Sequence, residues 1–313
     1  MQFLNAEAVH RALPYPALIA ALGRAHEGEL PLSDCVVQDD PAGSGNQFVT
    51  LPGWLAGALI AVKMVGVFPG NRDLTPPQAS VQGLVAGFDA ATGTPVIVAD
   101  GEAMTFRKTA AISGLGAALL ARKDARELLV VGAGGLAPHS VMAHRAARPS
   151  LTRIRIWNRT PAHAQALADR LCAEGIDAHA VPDLDAAVQT ADIISCVTMS
   201  KAPLVKGDLL KPGAHLDLVG AYLPDMREAD DRAMTRGRLF VDTHIGREDA
   251  GDLIQPVTAG ALSWDAIRGE LFDLVQGRAP GRENPDEITV FKNVGGAHQD
   301  VFTLNALIDR AAT

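Results

Sequence analysis

The run Leu128-Leu129-Val130-Val131-Gly132-Ala133-Gly134-Gly135-Leu136-Ala137 joins an apolar, β-rich segment to an alanine-rich helical one through a glycine turn. This is the G-x-G-x-x-A form of a dinucleotide-binding turn. Gly132 permits the tight turn, Gly134 lets the backbone approach a pyrophosphate, and Ala137 keeps the helix close to the strand. Free N–H groups where the helix opens, at Gly135 and Leu136, suit phosphate together with the positive end of the helix dipole. A second strand, Thr152 to Trp157, ends in Asn158-Arg159-Thr160. An acid at that strand end binds the 2′-hydroxyl of NAD, whereas an arginine suits the 2′-phosphate of NADP. Arg159 therefore favours NADP(H) over NAD(H), with Asn158 and Thr160 beside it. A glycine turn with no ligand is the alternative. It leaves the strand before, the helix after and the basic triplet beyond unexplained.

Outward from this turn, strands and helices alternate. Strands are predicted at 127–131, 152–157, 176–180, 193–197, 215–219 and 239–241, with helices at 161–174 and 184–190 between them. Such alternation implies a parallel, doubly wound sheet. The N-terminal part differs. After helical signals at about 5–28, β-rich runs at 47–51, 58–68, 81–88 and 95–99 follow one another without helices, which implies an antiparallel or mixed sheet. A helix that is apolar nearly all round is predicted from Thr109 to Arg122, and another from Gly296 to Ala312 that packs back on the N-terminal half. The fold expected is α/β: a Rossmann domain at 114–289 inserted into an α+β domain formed by 1–113 plus 290–313.

The composition is that of a globular enzyme: 313 residues, 48% hydrophobic, 20% charged, net charge −8. The negative charge and the absence of a basic block argue against nucleic acid and anionic membrane as partners. No apolar run reaches membrane-spanning length, and Met1 to Glu7 lacks the pattern of a signal peptide. Cys35, Cys172 and Cys196 are scattered and form no C-x-x-C, so a reducing cytoplasm is the expected compartment. The histidines form no metal-ligand grouping, and no metal is expected.

Lys63 lies within the apolar run Leu59 to Phe68, on one face with Ala61, Val65 and Val67. A lysine there needs a counter-ion or a wet cavity; an edge-strand lysine that discourages aggregation is the other reading. Arg107-Lys108 precedes the predicted helix start at Thr109. Two cations there oppose the helix dipole, which an anionic ligand would relieve; two solvated surface charges are the other reading. Ser195-Cys196-Val197-Thr198 ends a strand on the cofactor side of the sheet, where Thr198 is placed to bond a ribose or phosphate, or else to cap a turn. Cys196 reads as a buried apolar thiol. Asp225, Glu228, Asp230 and Asp231 read as a solvated helix start rather than a metal site.

Several stretches together resemble the ornithine cyclodeaminase/mu-crystallin family. They are Lys63 with Phe68-Pro69-Gly70-Asn71, Thr92 to Pro95, Asp100-Gly101 through Ala111, the glycine turn, Trp157 to Thr160 and Ala191 to Thr198. Pro224 to Glu228, Gly281-Arg282, Ile288 to Lys292 and Val294-Gly295 complete the resemblance, which runs from about residue 50 to the C-terminus. It implies a homodimer whose non-Rossmann domain binds substrate and dimerises, and hydride exchange between NAD(P) and α-amino or α-imino acids. It also implies that Lys63 contacts the substrate carboxylate and that Thr109, Val197, Thr198 and Val294 join the cofactor site. The family's second carboxylate-binding cation, an arginine, is Lys108 here, which keeps the charge and loses the bidentate fork. A further arginine has no counterpart around Leu32-Ser33-Asp34; Arg72 and Arg107 are candidates to compensate. Cyclodeaminating members carry an aspartate where this chain has Tyr222, and tyrosine is no anionic base near neutral pH. Asp225 is the nearest substitute.

The function expected is therefore NADPH-dependent reduction of small cyclic α-imino acids, with Lys63 and Lys108 holding the carboxylate. Ornithine cyclodeamination or amino-acid dehydrogenation on the same scaffold is one alternative. An NADPH-dependent small-molecule binding protein without catalysis is another.

Overall fold

The computed structural model describes residues 1–311, apart from the side chain of Arg72. The chain divides into two units, one comprising Met1–Lys108 with the segment from Gly296 onward, the other Thr109–Gly295.

In the first unit the elements run β1 (Gln2–Leu4), α1 (Ala6–Ala12), α2 (Tyr15–Ala25), β2 (Leu32–Ser33), β3 (Val36–Asp39), β4 (Gln47–Leu55), β5 (Leu59–Val67), β6 (Val81–Asp89) and β7 (Pro95–Asp100). The sheet order is β1-β7-β6-β5-β4-β2, with β3 also on β4. It is mixed, since β1 is parallel to β7 while β4 to β7 form an antiparallel meander. The short strands β1, β2 and β3 are not legible in the sequence, because two to four residues carry no measurable period. The segment Ala297–Ala311 forms a helix that crosses one face of this sheet. A Cβ on Gly53 would meet the Val301 side chain at 2.3 Å, and one on Gly87 would meet Leu304 at 3.0 Å. Those glycines let the helix approach the strands.

Helix α3 (Gly101–Leu120) starts eight positions before its expected beginning at Thr109. Asp100 Oδ1 accepts the Ala103 N–H at 2.8 Å and caps it. Lys108 therefore stands two turns inside a helix, and the dipole argument for an anion beside it does not apply.

The second unit continues with β8 (Glu127–Val131), α4 (Leu136–Ala147), β9 (Arg153–Trp157), α5 (Pro161–Ala173), β10 (Ala178–Ala180), α6 (Leu184–Thr190), β11 (Ile193–Cys196), β12 (His215–Leu218), α7 (Asp231–Arg236), β13 (Arg238–Val241), α8 (Gly251–Thr258), α9 (Leu271–Val275) and β14 (Thr289–Lys292). The C-terminal helix Ala297–Ala311 is α10. The sheet is parallel throughout, in the order β10-β9-β8-β11-β12-β14-β13. Its two apolar layers pack on opposite faces: Val130, Ile154 and Ile156 with α4 and α5, and Leu129, Ile194, Leu216 and Val290 on the other side. The order reverses between β8 and β11, which is where open α/β sheets bind ligands beyond their carboxyl strand ends.

The crossings between units fall after Lys108 and Gly295, rather than after residues 113 and 289. β14 pairs with both β12 and β13, which keeps Thr289–Lys292 in the parallel sheet. Asp242 then accepts the N–H groups of Val294 and Gly295 at 2.7 and 2.8 Å. Asn293 Nδ2 donates to Thr109 O and Ser113 Oγ, both at 3.0 Å, tying α3 to the same unit.

Candidate active site

The glycine turn has the shape a dinucleotide phosphate requires. Gly132 sits at φ +115°, and a Cβ there would lie 2.9 Å from Val197 O. Only glycine combines that backbone with that neighbour. Its N–H donates to Trp157 O at 2.8 Å and binds the turn to the end of β9. No atom stands within 4 Å of a Cβ built on Gly134, so the inner side of the turn is open. Gly135 opens α4 and no side chain caps the helix, which leaves its first amides for an anion. Ala137 is fully buried and packs in one cluster with Val130 and Ile156, which holds α4 against the sheet. These features fit a nicotinamide dinucleotide.

At the end of β9, Asn158 Nδ2 donates to Thr160 O at 3.0 Å, so these two residues shape the turn that carries the exposed Arg159. Val197 continues β11, its N–H donating to Val131 O at 2.9 Å.

Thr198 is held from within. Its N–H and Oγ1 donate to Glu228 Oε1 at 2.6 and 2.9 Å, and the N–H groups of Val219 and Gly220 donate to Glu228 Oε2 at 3.1 and 2.6 Å. One carboxylate thus fixes the loops after β11 and β12. Glu228 is fully buried, which corrects its reading as part of a solvated helix start. Asp230 does act as a helix start, capping α7 through the Ala233 N–H. Asp252 accepts the N–H groups of Glu228 and Ala229 and pairs with Lys292 at 3.3 Å, both side chains wholly buried. Burial, with Asp252 adding a like charge, pushes the Glu228 carboxyl up to about 7. Cys196 is buried as expected, and burial drives its thiol well upward, away from thiolate chemistry.

In the first unit the charged residues converge. β5 is an interior strand between β4 and β6, so Lys63 is no edge guard. Its side chain lies on the covered face with Leu59 and Ala61. Lys63 Nζ stands 3.5 Å from Asp300 Oδ1, and Lys108 Nζ stands 3.7 Å from Asp300 Oδ2. All three side chains are less than a tenth exposed. Burial is the main influence on Lys63 and lowers its proton affinity, while Asp300 raises it and Lys108 lowers it further. Asp300 is absent from the sequence reading. The available signal was an acid embedded in the apolar first turns of the C-terminal helix, beside Ala297, Val301 and Leu304.

The other candidates lie elsewhere. Arg107 stacks over the Tyr15 ring at 4.5 Å and donates to His10 Nδ1 at 3.0 Å, so it does not join the lysines. Arg72 as a compensating cation lies outside the described side chains. Tyr222 is half exposed, its N–H bonded to Gly220 O. Asp225 is exposed and pairs with Lys201 at 2.6 Å, which holds its carboxyl below the usual range. Such an acid is a poor proton acceptor near neutrality.

Residues 11–313 match the model of the ornithine cyclodeaminase/mu-crystallin family. The chain is 45% identical over 251 residues to the Delta(1)-pyrroline-2-carboxylate reductase of Paracoccus denitrificans, covering 79% of this chain and 78% of that one. It is 40% identical over 277 residues to the protein SAR DEFICIENT 4 of Arabidopsis thaliana, covering 86% and 84%. Among solved structures it is similar to the Delta(1)-pyrroline-2-carboxylate reductase of Thermococcus litoralis, in complex with NADH and L-proline, with TM-score 0.91, 27% identity and coverage of 100% and 98%. The match across nearly the whole chain, on a fold that carries the dinucleotide turn, makes this protein a member of the ornithine cyclodeaminase/mu-crystallin family.

Proposed function

We propose that the protein is an NADPH-dependent reductase of small cyclic α-imino acids such as Δ1-pyrroline-2-carboxylate and its six-membered homologue. The observation that carries this reading is the buried Lys63–Lys108 pair, two cations that converge on one carboxylate, that of Asp300. The named reductases to which the chain is similar support it.

The reaction adds hydride to the imine carbon and a proton to nitrogen. A bound dihydronicotinamide supplies the hydride. Gly132, Gly134, Gly135, Leu136 and Ala137 would hold its pyrophosphate, with Thr109, Val197, Thr198 and Val294 toward the nicotinamide end. Asn158, Arg159 and Thr160 would take the adenine ribose, where the Arg159 guanidinium favours a 2′-phosphate. Lys63 and Lys108 hold the substrate carboxylate. Their charge draws electron density from the neighbouring C=N bond and favours hydride arrival at carbon. Burial of the pair strengthens this field, since little water screens it.

Two further features belong to this reading. Tyr222 stands in place of an acid and Asp225 is paired with Lys201, so neither serves as the base for nitrogen release, and ornithine is expected to be a poor substrate. The sheet face opposite α10 carries mainly apolar side chains in cross-strand register, with Thr50 among them. Val36, Thr50, Met64 and Leu84 form one row, Leu32, Trp54, Ile60 and Phe88 another. Val36, Leu84, Leu32 and Trp54 are exposed, and a second copy of the chain would cover them. Cys35, Cys172 and Cys196 are free thiols, which accords with a reducing compartment such as the cytoplasm.

The test is NADPH oxidation by the purified protein with pyrroline- and piperideine-2-carboxylate, beside ornithine with NAD+ or NADP+. Imine-dependent oxidation is expected, with no proline or ammonia from ornithine. NADPH binding without turnover of any imine would overturn the proposal in favour of a binding protein, and proline formed from ornithine would overturn it in favour of cyclodeamination.

A further inference from the structure

We propose that Asp300 is a positioning residue that sets the carboxylate site at one net positive charge and so selects substrates bearing a single carboxylate. This rests on the reading of Lys63 and Lys108 as the carboxylate site.

The geometry is a bridge. Asp300 turns one oxygen toward each lysine, Oδ1 to Lys63 at 3.5 Å and Oδ2 to Lys108 at 3.7 Å. Neither contact is a short hydrogen bond, and each ammonium has three N–H donors. Both lysines thus retain donors for a ligand while sharing one counter-charge. The three residues come from three elements: β5, α3 and α10.

The charge count follows from the groups facing the bridge. His298, also on α10, faces Lys108 and Asp300. Burial above all, with His26 and Lys108 adding to it, presses its imidazole down to about 3, so it is neutral. His26, at the end of α2, packs edge-on to His298 at 6.3 Å and bonds Leu22 O through Nδ1. Arg107 is turned to Tyr15 and His10. Two ammoniums and one carboxylate remain, a net charge of +1. Two buried ammoniums without the acid would repel, and Lys63, which Asp300 supports and Lys108 disfavours, would lose its proton at a lower pH than in wild type. Asp300 offsets that repulsion, one oxygen toward each lysine, and its own charge cancels one of the two. A monocarboxylate closes the count at zero. A second carboxylate on the ligand would bring an unpaired negative charge into a place with little water, which is costly.

The experiment measures binding rather than turnover. The NADPH-loaded protein is titrated calorimetrically with pyrrole-2-carboxylate and pyrrole-2,5-dicarboxylate, as wild type, Asp300→Asn and Asp300→Glu. Wild type and Asp300→Glu are expected to bind the monoanion about tenfold or more tightly than the dianion. Asp300→Asn is expected to move that ratio about tenfold toward the dianion, and the alkaline loss of monoanion binding should begin at lower pH, because the acid no longer supports the ammoniums. An unchanged ratio with an unmoved alkaline limb overturns the proposal. So does a wild type that binds both anions alike, even where Asp300→Asn fails to fold. A protein that discriminates the anions and reduces no imine refutes the proposed reaction but upholds this inference; one that binds neither anion refutes the carboxylate site itself.

Discussion

Lys63 Nζ lies 3.5 Å from Asp300 Oδ1, although the two residues are 237 positions apart in the chain. An interior strand supplies the cation and the C-terminal helix supplies the acid. Replacing Lys63 leaves Asp300 with Lys108 alone, and the site falls from one net positive charge to none. Lys63→Met, which keeps the length of the stem, should lower kcat/KM for the imino acid about a hundredfold or more, since a buried charge-assisted contact contributes about 1.5–3 kcal/mol and the field on the C=N bond weakens as well. NADPH affinity should stay near wild type. Lys108→Arg should keep most activity, because the charge survives. Steady-state kinetics beside NADPH fluorescence titration checks both variants. An equal loss of NADPH binding in Lys63→Met would move Lys63 out of the substrate site.

Arg159 stands exposed after β9, on a turn closed by the Asn158–Thr160 hydrogen bond. NADPH is expected to bind about ten- to a hundredfold more tightly than NADH, the value of one charge-assisted contact to the 2′-phosphate. Raising the salt should narrow the gap, because the contact is open to solvent. Arg159→Ala should bring the two dissociation constants together by weakening NADPH alone. Equal wild-type constants would remove the argument for NADP(H).

Glu228 is poised to make stability depend on pH. Its folded carboxyl titrates at about 7, against 4.5 as the ordinary value. Below the ordinary value both folded and unfolded chains hold the proton, and the contribution is fully present. As pH rises toward 7 the unfolded chain ionises first, so this stability is lost across that window and then levels off. The slope is bounded by about 1.4 kcal/mol per pH unit. Glu228→Gln abolishes the titration. The Tm of wild type minus that of Glu228→Gln should therefore fall between about pH 4.5 and 7, and be flat above it. Differencing the two proteins cancels the groups remote from Glu228 and leaves Asp252 and Lys292, which face it, in the comparison. A difference that rises with pH would show that the four hydrogen bonds to the carboxylate outweigh its burial.

Trp54 and Leu32 are cross-strand neighbours on the exposed apolar sheet face. Trp54→Glu places a charge in the middle of that face. Light scattering at micromolar concentration should show a dimer for wild type and a shift to monomer for the variant, with the far-ultraviolet circular dichroism of folded protein in both. A monomeric wild type would leave this face to some other partner.

Much of the second unit was legible because its signals are local. A glycine required at φ +115° between an apolar strand and a helix identifies itself within ten residues, and so do the strands from β8 to β12 with the helices between them. β14 escaped, since Thr289-Val290-Phe291-Lys292 is too short to show a period, and only pairing between β12 and β13 makes it a strand. The early start of α3 escaped as well. Asp100 reads equally as the end of a strand and as a helix cap, and it is both.

Sequence by itself determined the dinucleotide turn, the strand–helix alternation around it, and the presence of a lysine on an apolar strand face. Each follows from dihedral preference or side-chain period over a few neighbouring residues. Tertiary structure alone decided what the charges do. It turned Arg107 to Tyr15 and Lys108 to Asp300, buried Glu228 beneath two loops, and paired Asp225 with Lys201 at the surface. The reason is physical. A charge takes its role from its solvation and its counter-ion, and for Lys63 both are supplied by a helix that lies hundreds of residues further along the chain.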